Sequence, residues 1–373
     1  MNKEYKGPYY NSSELARLVG VSKNTIIRWE EEGVIPAPLR DGRGWRVWTK
    51  DALEKIIEIK KSKELKKAPV LLADKNKLRI NIIGYGNQAV VWAKNLRDSG
   101  VFVTILLREN SPSVRKASND GFEVQNIKEA FLNSIEGVFC LLIPDEEHKD
   151  FFKTYSKYIK PEFVFIFAHG FSIGYQGVEL NAGKILLAPK AVAKVMRTNY
   201  LDGKYTPVVA SYSTKKEKEL VLKLAGSLKL APIIESSFIE ETISDLFTEQ
   251  MIICGGVPAL IVETFNMLKK RGVSEKIALQ ECLYELSYML EVIKEKGIQG
   301  MYEAISPVAM AGGMKIWQEM EKGTAISSIM KDAFDSIENK KFLTTVHKDN
   351  KKDISEKIKK RSKDFDSAVA EWR

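Results

Sequence analysis

One stretch constrains the fold of this chain more than any other, because it joins a strand pattern, closely spaced glycines and a helix pattern without interruption. Residues 78–83 are mostly apolar, residues 84–89 read Gly-Tyr-Gly-Asn-Gln-Ala, and a helical pattern follows. Gly84 permits a tight turn, and Gly86 lets a pyrophosphate approach the N–H groups at the start of a helix. This order predicts a Rossmann unit that binds a dinucleotide, with Ala89 where a third glycine often stands.

The end of the next predicted strand indicates which dinucleotide is bound. Residues 101–107 form a second apolar strand pattern that ends in Arg108, and Ser111 and Ser113 follow. An acid at the position of Arg108 would bind the ribose 2′-hydroxyl of NAD(H), whereas an arginine with two hydroxyls suits a 2′-phosphate. The sequence therefore predicts NADP(H) rather than NAD(H).

Three later strand patterns deliver polar residues to one edge of the predicted sheet. The strand patterns at 137–144, 163–168 and 184–189 are followed by Asp145 and Glu146, by His169 and by Lys190. Because ligands bind beyond the carboxyl ends of the strands in such sheets, we expect a polar site there. Taken alone, His169 could equally be a hydrogen-bonded structural histidine.

Two pairs of acids stand out in the second half of the chain, where the sequence is otherwise apolar. Asp245 and Glu249 are four residues apart, as are Glu281 and Glu285. On a helix, each pair points off one face, and we expect these helices to be mostly buried, where paired acids are costly unless a cation compensates them. Carboxylates without a His or Cys pattern suit Mg²⁺ better than zinc. The alternative is that the acids lie on solvated helix faces, but two pairs in this context favour the cation.

The first 67 residues have the pattern of a small DNA-binding head. Asn11 to Glu14 reads as a capped helix start, Gly20 as a turn and Ser22 as the cap of a second helix, which is helix-turn-helix spacing. The second helix would enter the major groove of double-stranded DNA, and an arginine-rich hairpin follows it. The residues placed to contact DNA are Lys23, Asn24, Thr25, Arg28, Arg40, Arg43 and Arg46. The alternative is a helical adaptor that has lost DNA binding.

This head resembles the winged helix-turn-helix of the MerR and excisionase families. The resemblance is carried by residues 13–16, 20–22, 25–30, 33–36, 40–48 and 51–53. It implies that residues 1–50 bind double-stranded DNA.

Motifs spread over residues 75–345 resemble those of ketol-acid reductoisomerase. They lie at residues 84–88, 95–100, 107–109, 143–146, 167–171, 188–190, 240–242, 245–250, 254–256, 281–285 and 305–306. The resemblance implies an α/β Rossmann domain and an all-α C-terminal domain with a knotted chain path, which is rare among folds. The chain is then multidomain: a winged helix-turn-helix head and linker helix at 1–67, an NADP-binding Rossmann domain at 75–236, and a knotted helical domain with a basic tail at 237–373.

The same resemblance implies roles for individual residues. Two Mg²⁺ ions would be held by Asp245, Glu249, Glu281 and Glu285, with the two acid motifs supplied by different subunits of an intertwined dimer or higher oligomer. The catalytic groups would be His169, Lys190, Glu285 and Ser306, and Ser306 would also contact the substrate. The cofactor contacts would be Gly84, Tyr85, Gly86, Asn87, Gln88, Arg108, Ser111, Ser113, Asp145, Glu146, Glu147 and His148.

The reaction that this resemblance implies belongs to branched-chain amino-acid biosynthesis. An alkyl group migrates within a 2-hydroxy-2-alkyl-3-oxo acid, and NADPH then reduces the product to a 2,3-dihydroxy acid. Two metal ions suit this chemistry because they polarise the hydroxyl and carbonyl oxygens and carry alkoxide charge.

Composition indicates the class of protein and its compartment. The 373 residues are 44% hydrophobic and 29% charged, which is ordinary for a soluble protein, and no apolar run reaches membrane-spanning length. Cys140, Cys254 and Cys282 lie far apart in apolar stretches and are predicted to be buried free thiols. We therefore expect a cytoplasmic protein without a membrane partner. The net charge of +9 gathers at 55–67 and 351–363, which permits nucleic-acid contact.

Two functions remain open at this point. The first, which the full set of polar site residues favours, is a reductoisomerase that carries a DNA-binding head. The second is a transcriptional regulator whose enzyme-like body senses NADPH or a metabolite. The head favours the regulator, and so do departures from the family pattern at residues 89–92, 191–194 and 307–312. At 191–194 the family has Gly-Pro-Gly-His and this chain has Ala-Val-Ala-Lys, which adds methyl groups near the cofactor.

Overall fold

The computed structural model describes residues 9–21, 23–31, 35–40, 45–50, 52–57, 78–134, 137–341 and 351–372. The head contains the helices α1 (Ser12–Val19) and α2 (Lys23–Glu31), a helix at 52–57 (α3), and the strands β1 (Tyr10–Asn11), β2 (Leu39–Arg40) and β3 (Arg46–Trp48). The three strands form an antiparallel sheet in the order β1-β3-β2. The core of the head is built from Leu15, Ile26, Trp48 and Ile56.

The predicted start of the first helix is confirmed. The side chain of Asn11 accepts hydrogen bonds from the backbone N–H groups of Ser13 and Glu14, and Glu14 reaches back to the N–H of Asn11. Gly20 ends α1 with a φ of 70°, a left-handed conformation that glycine adopts at little cost.

An eight-stranded sheet forms the middle of the chain. Its strands are β4 (Arg79–Ile83), β5 (Phe102–Leu107), β6 (Glu123–Asn126), β7 (Gly137–Leu141), β8 (Phe163–Phe167), β9 (Gly183–Pro189), β10 (Thr206–Ser211) and β11 (Leu230–Glu235). Their order is β11-β10-β9-β8-β7-β4-β5-β6, and every neighbouring pair is parallel except β9 and β10. The strand patterns that the sequence predicted are thus confirmed as one Rossmann-like sheet.

Helices cover both faces of this sheet, so its central strands are buried on both sides. The helices are α4 (Asn87–Asp98), α5 (Ser113–Asn119), α6 (Ile127–Asn133), α7 (His148–Tyr155), α8 (Ala193–Leu201) and α9 (Lys215–Leu228). One face is aliphatic and packs around Trp92 and Leu96 of α4. The other face is a cluster of phenylalanines that includes Phe131, Phe139 and Phe165.

The remainder of the described chain is helical. Its helices are α10 (Phe238–Thr248), α11 (Gly256–Lys270), α12 (Glu275–Leu279), α13 (Leu286–Ala304), α14 (Pro307–Lys322), α15 (Thr324–Glu338) and α16 (Lys351–Trp372). Gly297 interrupts α13 with a non-helical conformation. The end of α16 packs on α11 and α12 through Phe365, Ala368 and Val369.

Two expectations from the sequence are wrong in this region. Three of the four acids do not lie on mostly buried α-helices: Glu249 begins a π-helical turn (Glu249–Ile253), Glu281 and Glu285 lie in a second one (Gln280–Glu285), and all three are exposed. Asp245 lies on the α-helix α10 and is half-buried. Cys254 is exposed and Cys282 is only half-buried, whereas Cys140 is buried as predicted. The helical run Phe238–Lys270 is long and apolar enough to cross a membrane by length and composition, although a single such helix is only a weak indication.

The helices that follow the second acid motif expose much of their apolar surface. On α13, α14 and α15 the large exposed apolar residues are Tyr288, Leu290, Ile298, Val308, Met310, Met314, Ile316, Trp317, Met320, Ile326, Ile329, Met330 and Phe334. An apolar surface of this extent is unusual on a protein that acts as a monomer.

Candidate active site

Polar side chains from three neighbouring strands meet beyond the carboxyl edge of the sheet. Asp145 follows β7, His169 follows β8 and Lys190 follows β9, as the sequence predicted. One carboxylate oxygen of Asp145 lies 3.4 Å from Nδ1 of His169. The other strand-end group, Lys190, points to the helix that covers this edge, α10.

Glycines allow α10 to approach the sheet edge closely. A π-helical turn at Phe171–Tyr175 follows His169 and packs against the start of α10. A Cβ atom added at Gly170 would lie 2.2 Å from the carbonyl oxygen of Phe238, and one added at Gly174 would lie 2.6 Å from the backbone nitrogen of Ile239. A side chain at either position would therefore push α10 away from His169.

Two carboxylates of α10 and two cationic groups of the sheet edge form one network. Nζ of Lys190 donates to Oε1 of Glu241 at 2.6 Å and to Oδ1 of Asp245 at 2.8 Å. Nε2 of His169 lies 3.2 Å from Oδ2 of Asp245 and 3.7 Å from Oε2 of Glu241. The backbone N–H of Gly170 donates to the same Oε2 at 2.7 Å.

The network changes the protonation of its members. Burial alone would lower the pKa of His169, but its contacts with the carboxylates of Asp145 and Asp245 outweigh burial and raise that pKa to about 10. Burial raises the pKa of Asp245, yet hydrogen bonds with His169 and Lys190 bring it down to about 2. The pKa of Lys190 is likewise raised by its two acidic partners against the effect of burial. Asp245 is therefore a carboxylate that two cations hold in place.

The single chain brings together only part of the predicted acid set. Among the described residues, His169, Glu241 and Asp245 are the group whose ligand atoms lie within 4.8 Å of one another. Partial burial raises the pKa of Glu249, and the charge of the nearby Asp245 raises that pKa further. Glu281 and Glu285 do not join the group.

Ser306, the predicted substrate contact, lies at the start of a helix. Its side-chain oxygen accepts a hydrogen bond from the N–H of Ala309 at 3.2 Å and caps α14, and Pro307 occupies the first turn. This is a favourable helix start, because proline needs no hydrogen-bond partner there.

The predicted dinucleotide groove opens beside the same edge. A cavity of about 200 Å³ is lined by Gly84, Tyr85, Gly86, Arg108, Ser111, Ser113, Ile143, Pro144 and Glu147, among others. Gly84 has a φ of 98°, and a Cβ there would lie 2.8 Å from the carbonyl oxygen of Leu142. Gly86 caps α4 without a side chain, so the first N–H groups of α4, which begins with Asn87 and Gln88, have no side-chain cap and are available to a ligand.

Two predicted cofactor residues use their side chains elsewhere. Tyr85 is buried, and its hydroxyl donates to Asp120 at 2.8 Å. His148 is also buried, and its ring nitrogens contact Oγ of Ser172 at 2.5 Å and the carbonyl oxygen of Ile143 at 3.1 Å. The backbone of Tyr85 still lines the groove, whereas His148 holds the loop after β7 against the turn at Phe171–Tyr175.

The comparisons with known proteins agree with the acid network and the dinucleotide groove described above. Residues 73–229 match the acetohydroxy acid isomeroreductase NADPH-binding domain, and residues 238–371 match the ketol-acid reductoisomerase C-terminal domain. The ketol-acid reductoisomerase (NADP(+)) of Clostridioides difficile is 33% identical over 308 residues, which cover 80% of this chain and 92% of that protein. The chain belongs to the ketol-acid reductoisomerase family.

Other relatives extend this finding. The ketol-acid reductoisomerase (NADP(+)) of Sulfolobus acidocaldarius is 35% identical over 71% of this chain and 81% of its own length. A solved structure of an NADH-preferring ketol-acid reductoisomerase from an uncultured archean has a TM-score of 0.69 and 28% identity, covering 80% of this chain and 97% of that one. A semialdehyde dehydrogenase NAD-binding protein from Cupriavidus necator, at 15% identity and a TM-score of 0.52, shares the fold alone.

The N-terminal head lies outside the two reductoisomerase matches and has a match of its own. Residues 11–48 match the MerR family regulatory protein model. Lys23 and Thr25 lie on α2 and Arg40 lies on β2, while Arg46 donates from Nε to a carboxylate oxygen of Glu30 at 2.5 Å and so joins β3 to α2. Asn24 and Arg28 also lie on α2, but their side chains and the whole of Arg43 lie outside the described residues.

Sequence reasoning missed one residue of the site, Glu241. Its side chain is 1% exposed and contacts Lys190, His169 and the N–H of Gly170. The signal was present, because Glu240 and Glu241 form an acidic first turn in an otherwise apolar helix and belong to a motif of the family resemblance. Only the fold distinguishes them: Glu240 is exposed and pairs with Ser236.

Proposed function

We propose that this protein is a Mg²⁺-dependent, NADPH-dependent ketol-acid reductoisomerase with a DNA-binding head. In this reaction an alkyl group of a 2-hydroxy-2-alkyl-3-oxo acid migrates, and the product is reduced to a 2,3-dihydroxy acid. The observation that carries the proposal is the network of Lys190, Glu241, Asp245 and His169, which lies beside the dinucleotide groove in a chain of this family.

The donor set suits a hard divalent cation. Asp245 and Glu249 offer carboxylate oxygens, and partial burial and the neighbouring charge of Asp245 both raise the pKa of Glu249, effects that a cation would offset. His169, whose raised pKa keeps it protonated, has no lone pair for a cation, so the donors at this edge are the carboxylates. When bound, Mg²⁺ supplies polarisation of the substrate hydroxyl and carbonyl oxygens.

A second copy of the chain is proposed to complete the acid set. Glu281 and Glu285 are exposed and separate from Asp245 on one chain, and the apolar faces of α13, α14 and α15 need a cover. A groove of about 720 Å³ between α14 and α15 is lined by Ile316, Trp317, Met320, Ile326 and Met330, among others. We infer a homodimer or higher homo-oligomer in which each copy brings Glu281 and Glu285 to the Asp245 and Glu249 of its partner, and in which the helical domain follows the knotted path of the family.

The protein's own residues then have separate tasks. Lys190 keeps Asp245 ionised and fixes its orientation, and the buried Glu241 fixes Lys190. Glu285 is proposed to accept the proton of the substrate hydroxyl, and Lys190, whose raised pKa keeps it protonated, to donate a proton to the alkoxide that forms on reduction. Ser306, at the N-terminus of α14, contacts the substrate, whose carboxylate the helix dipole favours.

The cofactor is proposed to be NADP(H), with its 2′-phosphate on Arg108, Ser111 and Ser113. These three side chains line one end of the groove that Gly84 and Gly86 begin. Bound NADPH supplies the hydride. A cytoplasmic location fits this proposal, because the proposed reaction needs a supply of NADPH.

Purified protein tests the enzyme directly. With Mg²⁺, NADPH and 2-acetolactate, we expect steady loss of NADPH absorbance that requires both substrate and metal. Asp245→Asn should abolish it, whereas Asp202→Asn, an exposed acid after α8, should leave it unchanged. Tight NADPH binding without consumption by the unaltered protein would reject the enzyme and favour a regulator that senses NADPH or a metabolite.

The head is proposed to be a winged helix-turn-helix that binds double-stranded DNA. The match of residues 11–48 and the pairing of β2 with β3 after α2 support this proposal. We expect salt-sensitive binding to DNA from upstream of the protein's own gene, and a loss of affinity in Lys23→Ala and Arg28→Ala. Unchanged affinity in both variants would reject the DNA-binding function.

A further inference from the structure

A basic groove lies between the end of α11 and the last helix, α16, away from the dinucleotide groove and the acid network. Its volume is about 510 Å³, and its lining residues are Asn266, Lys269, Lys270, Lys360, Arg361, Lys363 and Asp364. Five of these seven residues are cations, and they come from two helices that are far apart in the sequence. The fold brings them together through the ring contact of Phe265 with Phe365.

The acids nearby compensate only one of these cations. Lys269 pairs with Glu275 at 2.5 Å and with Asp364 at 3.2 Å. For Lys270, Lys360, Arg361 and Lys363, no ionic partner lies within 4.0 Å among the described residues. Lys270, Lys360, Arg361 and Lys363 are all exposed.

The charge of this groove differs from that of an ordinary solvated helix face. On such a face, acids and bases usually alternate and pair at i,i+4, as Lys331 and Asp335 do on α15. Here two helices present to the same space four cations that have no ionic partner among the described residues. A bound polyanion would supply those partners.

The lining of the groove indicates which part of a polyanion it contacts. It contains no aromatic or large apolar side chain on which a base would stack. Arginine and lysine side chains contact the phosphates of a nucleic-acid backbone, and this contact does not require an aromatic side chain. The same chain carries a MerR-like head, so duplex DNA is the polyanion that we expect at this groove.

We propose that the groove between α11 and α16 binds the phosphate backbone of the DNA that the head recognises, and so adds sequence-independent affinity from the far end of the chain. The inference rests on the proposed DNA binding of the head. Each phosphate that a cation contacts contributes about −0.9 to the slope of log affinity against log salt concentration. Loss of three groove cations should therefore reduce the slope by about 2–3 for each chain that is engaged.

The test compares full-length variants in a salt titration of binding to a duplex of about 40 base pairs, a length that exceeds the single major-groove site of one head. The groove variant combines Lys360→Gln, Arg361→Gln and Lys363→Gln. Its matched control combines Lys215→Gln, Lys216→Gln and Lys223→Gln, three exposed lysines on α9. We expect the groove variant to lose salt slope on both the upstream duplex and an unrelated one, while the control keeps the slope of the unaltered protein. NADPH binding serves as the check that both variants are folded.

The other outcomes overturn the inference in distinguishable ways. If Lys23→Ala weakens DNA binding while the groove variant matches the control, the head binds DNA and the groove does not. If the unaltered protein binds no duplex, both the inference and the function of the head are rejected. If the groove variant loses affinity for inorganic tripolyphosphate but keeps that for DNA, the groove is a site for small polyanions.

Discussion

The backbone N–H of Gly170 donates a 2.7 Å hydrogen bond to the buried carboxylate of Glu241. This bond joins the end of a sheet strand to α10, the helix that carries Asp245. Because Glu241 also accepts from Lys190, one buried acid holds the strand end, the lysine and the helix in a single arrangement. We expect both the stability of the protein and the activity of the site to depend on this arrangement.

The contact at Gly170 has no room for a side chain. Gly170→Ala would place Cβ 2.2 Å from the carbonyl oxygen of Phe238, so α10 must shift. We expect a loss of about 1–3 kcal/mol in the free energy of unfolding, as for other overpacked sites. Gly226→Ala on α9, where a Cβ meets no atom within 4 Å, should be neutral or stabilising. Urea denaturation of both variants measures the difference, and equal midpoints would contradict the close approach.

Glu241 is expected to act as a positioning residue. Glu241→Gln keeps the shape and the acceptor for Gly170 but leaves Lys190 with Asp245 as its only acidic partner. We expect kcat to fall by about 10–100-fold with little change in KM. The reason is that the orientation of Asp245 affects mainly the transition state, in which charge develops on the substrate. Glu240→Gln, on the exposed neighbour, is the matched control and should retain activity. A purely structural role would instead lower the folded fraction and leave kcat per folded molecule unchanged.

The buried His148 predicts a pH dependence of stability. Burial lowers the pKa of His148 below that of an unfolded histidine, about 6.5. As pH falls from 6.5 towards the lower folded pKa, the unfolded chain binds more protons, so the free energy of unfolding falls. The slope contributed by one such group is at most about 1.4 kcal/mol per pH unit.

Denaturation at pH 7 and pH 5 tests this. His148→Gln should remove that part of the slope, whereas Ser172→Ala, which deletes the hydrogen-bond partner and keeps the imidazole, should retain it. An identical slope in His148→Gln and the unaltered protein would show that other groups cause the pH dependence.

The cofactor preference should depend on Arg108. Arg108→Asp replaces the cation that faces a 2′-phosphate with an acid that suits a ribose hydroxyl. We expect the KM for NADPH to rise by about 10–100-fold relative to that for NADH, since a charge-assisted contact is worth about 1.5–3 kcal/mol. Arg115→Ala, on exposed α5, is the control. An unchanged ratio of the two KM values would place the 2′-phosphate elsewhere.

The exposed face of α14 should govern both assembly and metal-dependent activity. Trp317→Asp introduces a charge into the apolar groove of α14 and α15. We expect light scattering to show a smaller species and the Mg²⁺-dependent reaction to be lost, because Glu281 and Glu285 would no longer reach a partner. Leu222→Asp, an exposed apolar position on α9, should change neither property. A monomer that keeps full activity would contradict the shared acid site.

Much of this protein follows from local sequence. The strand at Arg79–Ile83, the left-handed Gly84 and the cap at Asn11 are determined by residues within one turn or strand, where periodicity and backbone freedom leave few alternatives. Parallel strands align their carboxyl ends, so His169 and Lys190 could be placed at one edge of the sheet without coordinates.

Other features depended on tertiary structure, because they are set by distances between segments far apart in the chain. Local sequence did not distinguish Glu241 from Glu240, since both are acids in the first turn of α10 and only the approach of Gly170 buries one of them. It placed the acids on buried α-helices, whereas packing puts Glu249 and Glu281 in exposed π-helical turns. The sequence by itself determined which side chains are available to the site, and the tertiary structure decided which of them are close enough to share protons and charge, because electrostatic interaction falls with distance through space and not along the chain.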